Sequence, residues 1–407
     1  MTCPTPTDRT PVWSIFLIFL RLGLTSFGGP VAHLGYFREE FVARRGWMSD
    51  RSYADVVALC QFLPGPASSQ VGIAIGLSRG GYAGALAAWA GFTLPSAIVL
   101  MAFGSALTRV GLSTDSTVAA AGALHGLKIV AVAVVAQAVW GMARTLCVGR
   151  LRASLATMAA CLVLIAPSAW SQVAAIVEAG LIGRQWIAPP ALQAGDALHV
   201  PIGRPAGAAW LVLFAVLLVA LPVAAGLFRH ETLAIVDAFY RAGALVFGGG
   251  HVVLPLLQAE VVPPGWVSND LFLAGYGAAQ AVPGPLFTFA AFLGGSLSTP
   301  LSGWLGGIVC LLAIFAPAFL LVAGALPFWA TLRHAPRMQA TLAGVNAAVV
   351  GLLVAAWYDP VWTSAIQRPM DFALALLALL ALMTWKVPPW AVVVGCAAAG
   401  AAIAVLA

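Results

Sequence analysis

The chain has 407 residues, of which 61 % are hydrophobic and only 8 % charged, with a mean hydropathy of +0.97. A soluble protein carries roughly 25 % charged residues, so this composition cannot build a water-exposed surface and excludes a soluble enzyme or regulator. The net charge of +6 is lopsided: residues 1–220 hold 14 Lys and Arg against 8 Asp and Glu, whereas residues 221–407 hold 6 of each. Those basic residues sit in short loops between apolar spans with no aromatic–basic platform, a topology signal rather than a nucleic-acid one.

In chain order, Met1–Pro11 is a short polar tail, and the run behind it reads as a retained helix, not a cleaved signal. Apolar runs of crossing length, about 20 residues each, lie near 12–30, 82–106, 117–143, 153–187, 207–228, 232–249, 301–328, 338–357, 369–385 and 388–407. They do not alternate as barrel strands would. The expected fold is an all-α polytopic membrane protein with ten to thirteen spans, in which 153–187 crosses once. Its expected divisions are the tail 1–11, a first repeat 12–206, a connecting helix and linker 207–231, and a second repeat 232–407. The six cysteines are scattered without CxxC spacing, so they predict small apolar packing and neither metal nor disulfide.

The repeat is written in the residues. Arg21, Phe27-Gly28-Gly29, Gly46-Trp47 and Gln61-Phe62-Leu63-Pro64-Gly65-Pro66 return as Arg241, Phe247-Gly248-Gly249, Gly265-Trp266 and Gln280-Ala281-Val282-Pro283-Gly284-Pro285. The offset is 220 up to Glu40/Glu260 and 219 from Trp47/Trp266 onward. Proline removes a backbone donor and clashes with the preceding turn, and glycine tolerates the φ a break needs. The segments 53–63 with 67–77, and 269–282 with 286–296, are therefore expected to be re-entrant half-helix pairs meeting at buried breaks. A duplicated unit broken at matching positions is the pointer to a transporter with its site at the repeat interface. The loop with Arg38, Arg44, Arg45 and Arg51 has a counterpart, Gln258–Leu271, without Lys or Arg, so the repeats are expected to be inverted.

A helix beginning after Pro66 or Pro285 leaves its first N–H groups unpartnered at the positive end of its dipole. Hydroxyls stand three residues on, at Ser69 and Thr288, with Ser68 added in the first repeat. Facing termini of this kind predict an anion site, with Gly65, Gly284, Gln61 and Gln280 beside it. Arg21 and Arg241, inside apolar helices, are expected either to bind an oxyanion in bidentate fashion or to pair with Glu40 and Glu260. Gly28, Gly29, Gly248 and Gly249 either let helices approach closely or line the site with backbone. His125 and Lys128, one turn apart, together with Glu40, Glu260 and His251, are the candidates for proton coupling. His33 flanks the same region. The sequence holds no HExxH, no phosphate loop, no Cys/His ligand set and no paired catalytic carboxylates, so neither an enzyme nor a cofactor is expected.

The segments RLGLTSFGGPVAHLGYFREEFVARRGWMSDRSYADVVALCQFLPGP and FGGGHVVLPLLQAEVVPPGWVSNDLFLAGYGAAQAVPGP carry a resemblance to the chromate ion transporter family in its long, two-domain form. The similarity runs over nearly the whole chain. It implies two halves in opposite membrane orientation and export of chromate, a tetrahedral dianion, across the bacterial inner membrane, with proton-motive force as the drive and chromate resistance as the result. One departure is that Pro263-Pro264 stand where the first repeat has Arg44-Arg45. A sulfate or other oxyanion carrier and a passive anion channel stay open as alternatives, as does a homodimer.

Overall fold

A computed structural model describes residues 10–110, 118–188, 202–247, 249–332 and 335–406. Residues 1–9 of the polar tail and the candidate site glycine Gly248 lie outside the described residues. The first repeat comprises α1 (Val12–Thr25), α2 (Gly29–Arg38, continued by a π turn over Glu39–Arg44), α3 (Asp50–Phe62) and α4 (Ala67–Val110, bent at Gly80 and Gly81). It continues with α5 (Val118–Leu146), α6 (Arg150–Ile165) and α7 (Ala169–Trp186), and α8 (Arg204–Phe228) leads out of it. The second repeat holds α9 (Glu231–Leu245), α10 (Val253–Val261, after a 3-10 turn over Gly250–Val252) and α11 (Asn269–Ala279). Next come α12 (Phe289–Gly295, after a 3-10 turn over Leu286–Thr288), α13 (Gly303–Ala325) and the short α14 (Trp329–Leu332). The chain closes with α15 (Pro336–Ala356), the short α16 (Thr363–Ala365), α17 (Pro369–Met383) and α18 (Pro389–Leu406).

Six helices among the described residues are long and apolar enough to cross a bilayer, and the chain is a multi-pass membrane protein. α8 is the most apolar of them and its apolar window has no buried residue, as expected where the solvent is lipid. Residues 153–187 do not form one helix. Pro167, which has no N–H, splits them, and the Ser168 hydroxyl starts α7 by accepting from Ser171 N–H at 3.1 Å. The same capping chemistry recurs at matched positions: Ser49 caps α3 and Ser268 caps α11.

The two repeats pack alike and then interlock. α1 lies on α4, and α9 on α13. Both contacts close at matched glycines, since a Cβ on Gly23 would sit 2.7 Å from the Gly91 carbonyl oxygen and one on Gly243 would overlap that of Ile314. The later helices exchange partners: α5 packs against α17 and α18 of the second repeat, and α15 packs against α6 and α7 of the first. α12 is buried along its whole length, whereas residues 280–284 of the break before it are half-buried.

Candidate anion site

Both PGP motifs break the chain where the sequence puts them. α3 ends at Phe62 and α4 starts at Ala67; α11 ends at Ala279 and the next turn starts at Leu286. Gly65 and Gly284 hold φ of +122° and +103°, left-handed values that glycine tolerates best. Each hinge then reaches across to the other repeat. Gly284 N–H donates to the Ser26 carbonyl at 3.0 Å, and Gly65 N–H donates to the Val246 carbonyl at 2.6 Å. Ser26 and Val246 are matched residues, each just ahead of a Phe-Gly-Gly motif. The PGP break of one repeat is thereby tied to the FGG break of the other, twice.

A cavity of about 70 Å³ opens beside the Gly284–Ser26 link. Gly28, Gly29 and Pro30 line it from the first FGG break; Ala279, Gln280, Val282 and Gly284 line it from the second PGP break. His251 enters from just behind the second FGG break, and Val134 and Gln137 from α5. Three helical segments begin on this wall: α2 at Gly29, the turn into α12 at Leu286 and α18 at Pro389. Helix N-termini carry partial positive charge, and the lining holds no Lys, Arg, Asp or Glu. Gln280 also lines the cavity, and its side chain lies against the buried Tyr276. His251 Nδ1 stands 2.8 Å from the hydroxyl of the buried Tyr276.

A profile of the chromate transporter family matches residues 13–184 and 233–401. The chain belongs to the chromate transporter family. A chromate transport protein of Pseudomonas aeruginosa is 29 % identical over 396 residues, covering 91 % of this chain and 87 % of its own. One from Cupriavidus metallidurans is 27 % identical over 401 residues, covering 93 % and 92 % respectively. A probable chromate transport protein of Synechococcus elongatus is 28 % identical over 379 residues, covering 90 % and 88 %. No solved structure matches the chain.

For this member of the family, the residues singled out by sequence fall into two groups. Gly28, Gly29, Gln280, Gly284 and His251 meet in the cavity. The others do not line it. Gln61, the counterpart of Gln280, is exposed, as is Arg21. Arg241 holds Asp237 at 2.6 Å and Glu260 at 2.8 and 3.1 Å, whereas Arg21 has no ion-pair partner among the described residues. The difference traces to the loop: Glu40 is held by Arg45 at 2.6 Å and Arg44 at 3.0 Å, the pair that Pro263-Pro264 replace. Burial pushes the Glu40 carboxyl up, but the hydrogen bonds and charges of Arg45 and Arg44 outweigh it and hold the group below its usual range.

His125 pairs with Asp371 at 3.1 Å and Lys128 with Asp270 at 3.0 Å, so both fasten α5 to the second repeat. Gly65 contributes its N–H to Val246, and Gly249 faces Met142. The Thr288 hydroxyl donates to the Pro285 carbonyl at 2.7 Å inside its own turn, whereas the Ser69 hydroxyl is buried and unpartnered. Ser68 stands 3.4 Å from His33. Gln137, Pro389 and the role of FGG as a helix start were not among the sequence candidates; a lone Gln within the apolar α5 was the available signal for the first.

Proposed function

We propose that this chain is a secondary carrier that exports chromate across the bacterial inner membrane by alternating access of two inverted repeats, and so gives chromate resistance. The observation that carries the reading is the cavity where three helix starts and Gln280 converge without a formal charge in the lining. Neutral donors suit a carrier: they replace the hydration of a tetrahedral dianion yet let it leave, where buried arginines would hold it. The names of the relatives point to chromate as the cargo.

In this reading α3 with the first part of α4, and α11 with α12, are re-entrant pairs whose breaks meet near the bilayer midplane. The Arg-rich loop 38–51 faces the cytoplasm and the Arg-free loop 258–271 the opposite side. His251 is the titratable side chain in the lining and carries the coupled proton.

Uptake of radiolabelled chromate into everted vesicles tests the proposal. Accumulation should collapse when an uncoupler is added. Flux that persists unchanged with uncoupler would make the chain a passive anion path, and complete competition by equimolar sulfate would make it a general oxyanion carrier.

A further inference from the structure

The second PGP break opens onto the cavity just described; the first leads into buried polar side chains of its own. α4 begins at Ala67, and the first bond inside it runs from Gln70 N–H to the Pro66 carbonyl at 2.9 Å. The N–H groups of Ala67, Ser68 and Ser69 therefore have no acceptor within the helix. This segment runs on to the bend at Gly80, long enough for its terminus to carry a dipole.

Around that end lie side chains with nothing to bind. The hydroxyls of Ser26, Ser69 and Thr93 and the Nε2 of His33 have no hydrogen-bond partner among the described residues. All four residues are nearly inaccessible, at 0 %, 3 %, 0 % and 1 % exposure. The contacts join them into one place. His33 Nδ1 is 3.4 Å from the Ser68 hydroxyl, its ring lies edge-on to Phe92 at 5.2 Å, and it faces the Ser26 backbone. Ser26 is the residue whose carbonyl holds Gly284, and a Cβ on Gly284 would stand 2.9 Å from the Ser96 hydroxyl, one turn beyond Thr93. The Ser68 hydroxyl beside Nδ1 can accept or donate, so Nε2, which has no partner among the described residues, is free to carry the ring proton. Buried polar groups in proteins are mostly paired; the unpaired Ser69 hydroxyl in this first turn, with the unpaired Ser26 hydroxyl and His33 Nε2 near it, suits a polar guest.

The second repeat does not copy this arrangement. The residues matched to His33, Ser68 and Gln70 are Val253, Phe287 and Phe289, and the Thr288 hydroxyl is turned onto its own backbone. We propose that the first repeat holds a second, occluded oxyanion station at the start of α4, formed by the free N–H groups of its first turn, the hydroxyls of Ser26 and Ser69, and the Nε2–H of His33. The station rests on the reading of the chain as an oxyanion carrier. Ser26 links it to the cavity, since its carbonyl accepts from Gly284 of the cavity lining.

Equilibrium dialysis of the purified full-length chain against radiolabelled chromate, and separately sulfate, counts the stations. Wild type should bind two anions per chain. His33→Gln and Ser69→Ala should each bind one, and Gln280→Leu should lose the other. A single anion that survives both His33→Gln and Ser69→Ala at unchanged affinity but is lost in Gln280→Leu overturns the station and leaves the carrier reading intact. Two anions retained in both first-repeat variants also overturn it, as does a site that holds only water. Wild type that binds neither anion sinks the carrier reading together with the station. Should His33→Gln fail to insert, Ser69→Ala and Ser26→Ala, which each remove one oxygen, carry the same comparison.

Discussion

Gly284 gives its N–H to the carbonyl of Ser26, 258 residues away in the chain, at 3.0 Å. Its matched bond, Gly65 to Val246, makes the two hinge crossings a pair. Neither break is a local kink: each is held open by the other repeat. Gly284→Ala is expected to damage this join more than Gly65→Ala. Both place a Cβ at positive φ, a strain of roughly 1–2 kcal/mol. At Gly284 that Cβ also meets the Ser96 hydroxyl at 2.9 Å and the Phe92 backbone carbonyl at 3.2 Å, whereas at Gly65 it meets only side-chain atoms, chiefly Gln70 Nε2 at 2.8 Å. Transport in vesicles should fall at least ten-fold for Gly284→Ala with the protein still in the membrane. Near-normal transport would show that the hinge tolerates the other repeat's withdrawal.

Arg241 is expected to act on folding rather than on the anion. Removing it leaves Asp237 and Glu260 close together with no cation, and breaking a buried pair costs about 3–5 kcal/mol, less where the group is partly exposed as here. Arg241→Gln should lower the thermal midpoint of the purified protein, and Glu260→Gln added to it should restore part of the loss. Arg21→Gln, at an exposed position, should leave the midpoint within a degree or two. A transport defect in Arg241→Gln with an unchanged midpoint would return that side chain to the anion path.

What was legible in the sequence was the backbone chemistry. Pro-Gly-Pro, Phe-Gly-Gly and the cap serines Ser49 and Ser268 act through nearest neighbours, so one dimension suffices to place breaks and helix starts. The matched arginines diverge for the opposite reason. Arg21 and Arg241 share a position but not a partner, because Glu40 has Arg44 and Arg45 while Glu260 faces Pro263-Pro264. The crossing of hinges between repeats is a long-range pairing that no local pattern encodes. The cavity is accordingly built from the FGG of one repeat and the PGP of the other, with Gln137 supplied by α5, and it lacks the two-fold likeness that the matched motifs suggest.

The Lys128–Asp270 pair should respond unequally to loss of its two ends. The Lys128 side chain is 10 % exposed and that of Asp270 is 66 % exposed. Lys128→Met removes a buried charge and leaves a carboxylate that water solvates, so stability should stay level or rise. Asp270→Asn strands a buried ammonium and should cost on the order of 1–2 kcal/mol, discounted for the exposed partner. Thermal unfolding of both variants reads the asymmetry. Equal losses would mean that the pair serves mainly to register α5 against α11.

Inversion of the repeats is tested by topology. If they are inverted, the loop after α2 and the loop after α10 lie on opposite faces of the membrane, since they are matched in sequence and both precede a capped helix at Ser49 or Ser268. The first loop carries Arg44 and Arg45, the second Pro263 and Pro264, and Lys and Arg are retained on the cytoplasmic side. A short epitope inserted after Arg45 should be reached only in everted vesicles, and one inserted after Pro264 only in right-side-out vesicles. Labelling of both from the same side would make the repeats parallel. The two hinge bonds would then relate units turned about the membrane normal, and exchange between inward and outward states would need a motion other than the rocking of one repeat against its inverted twin.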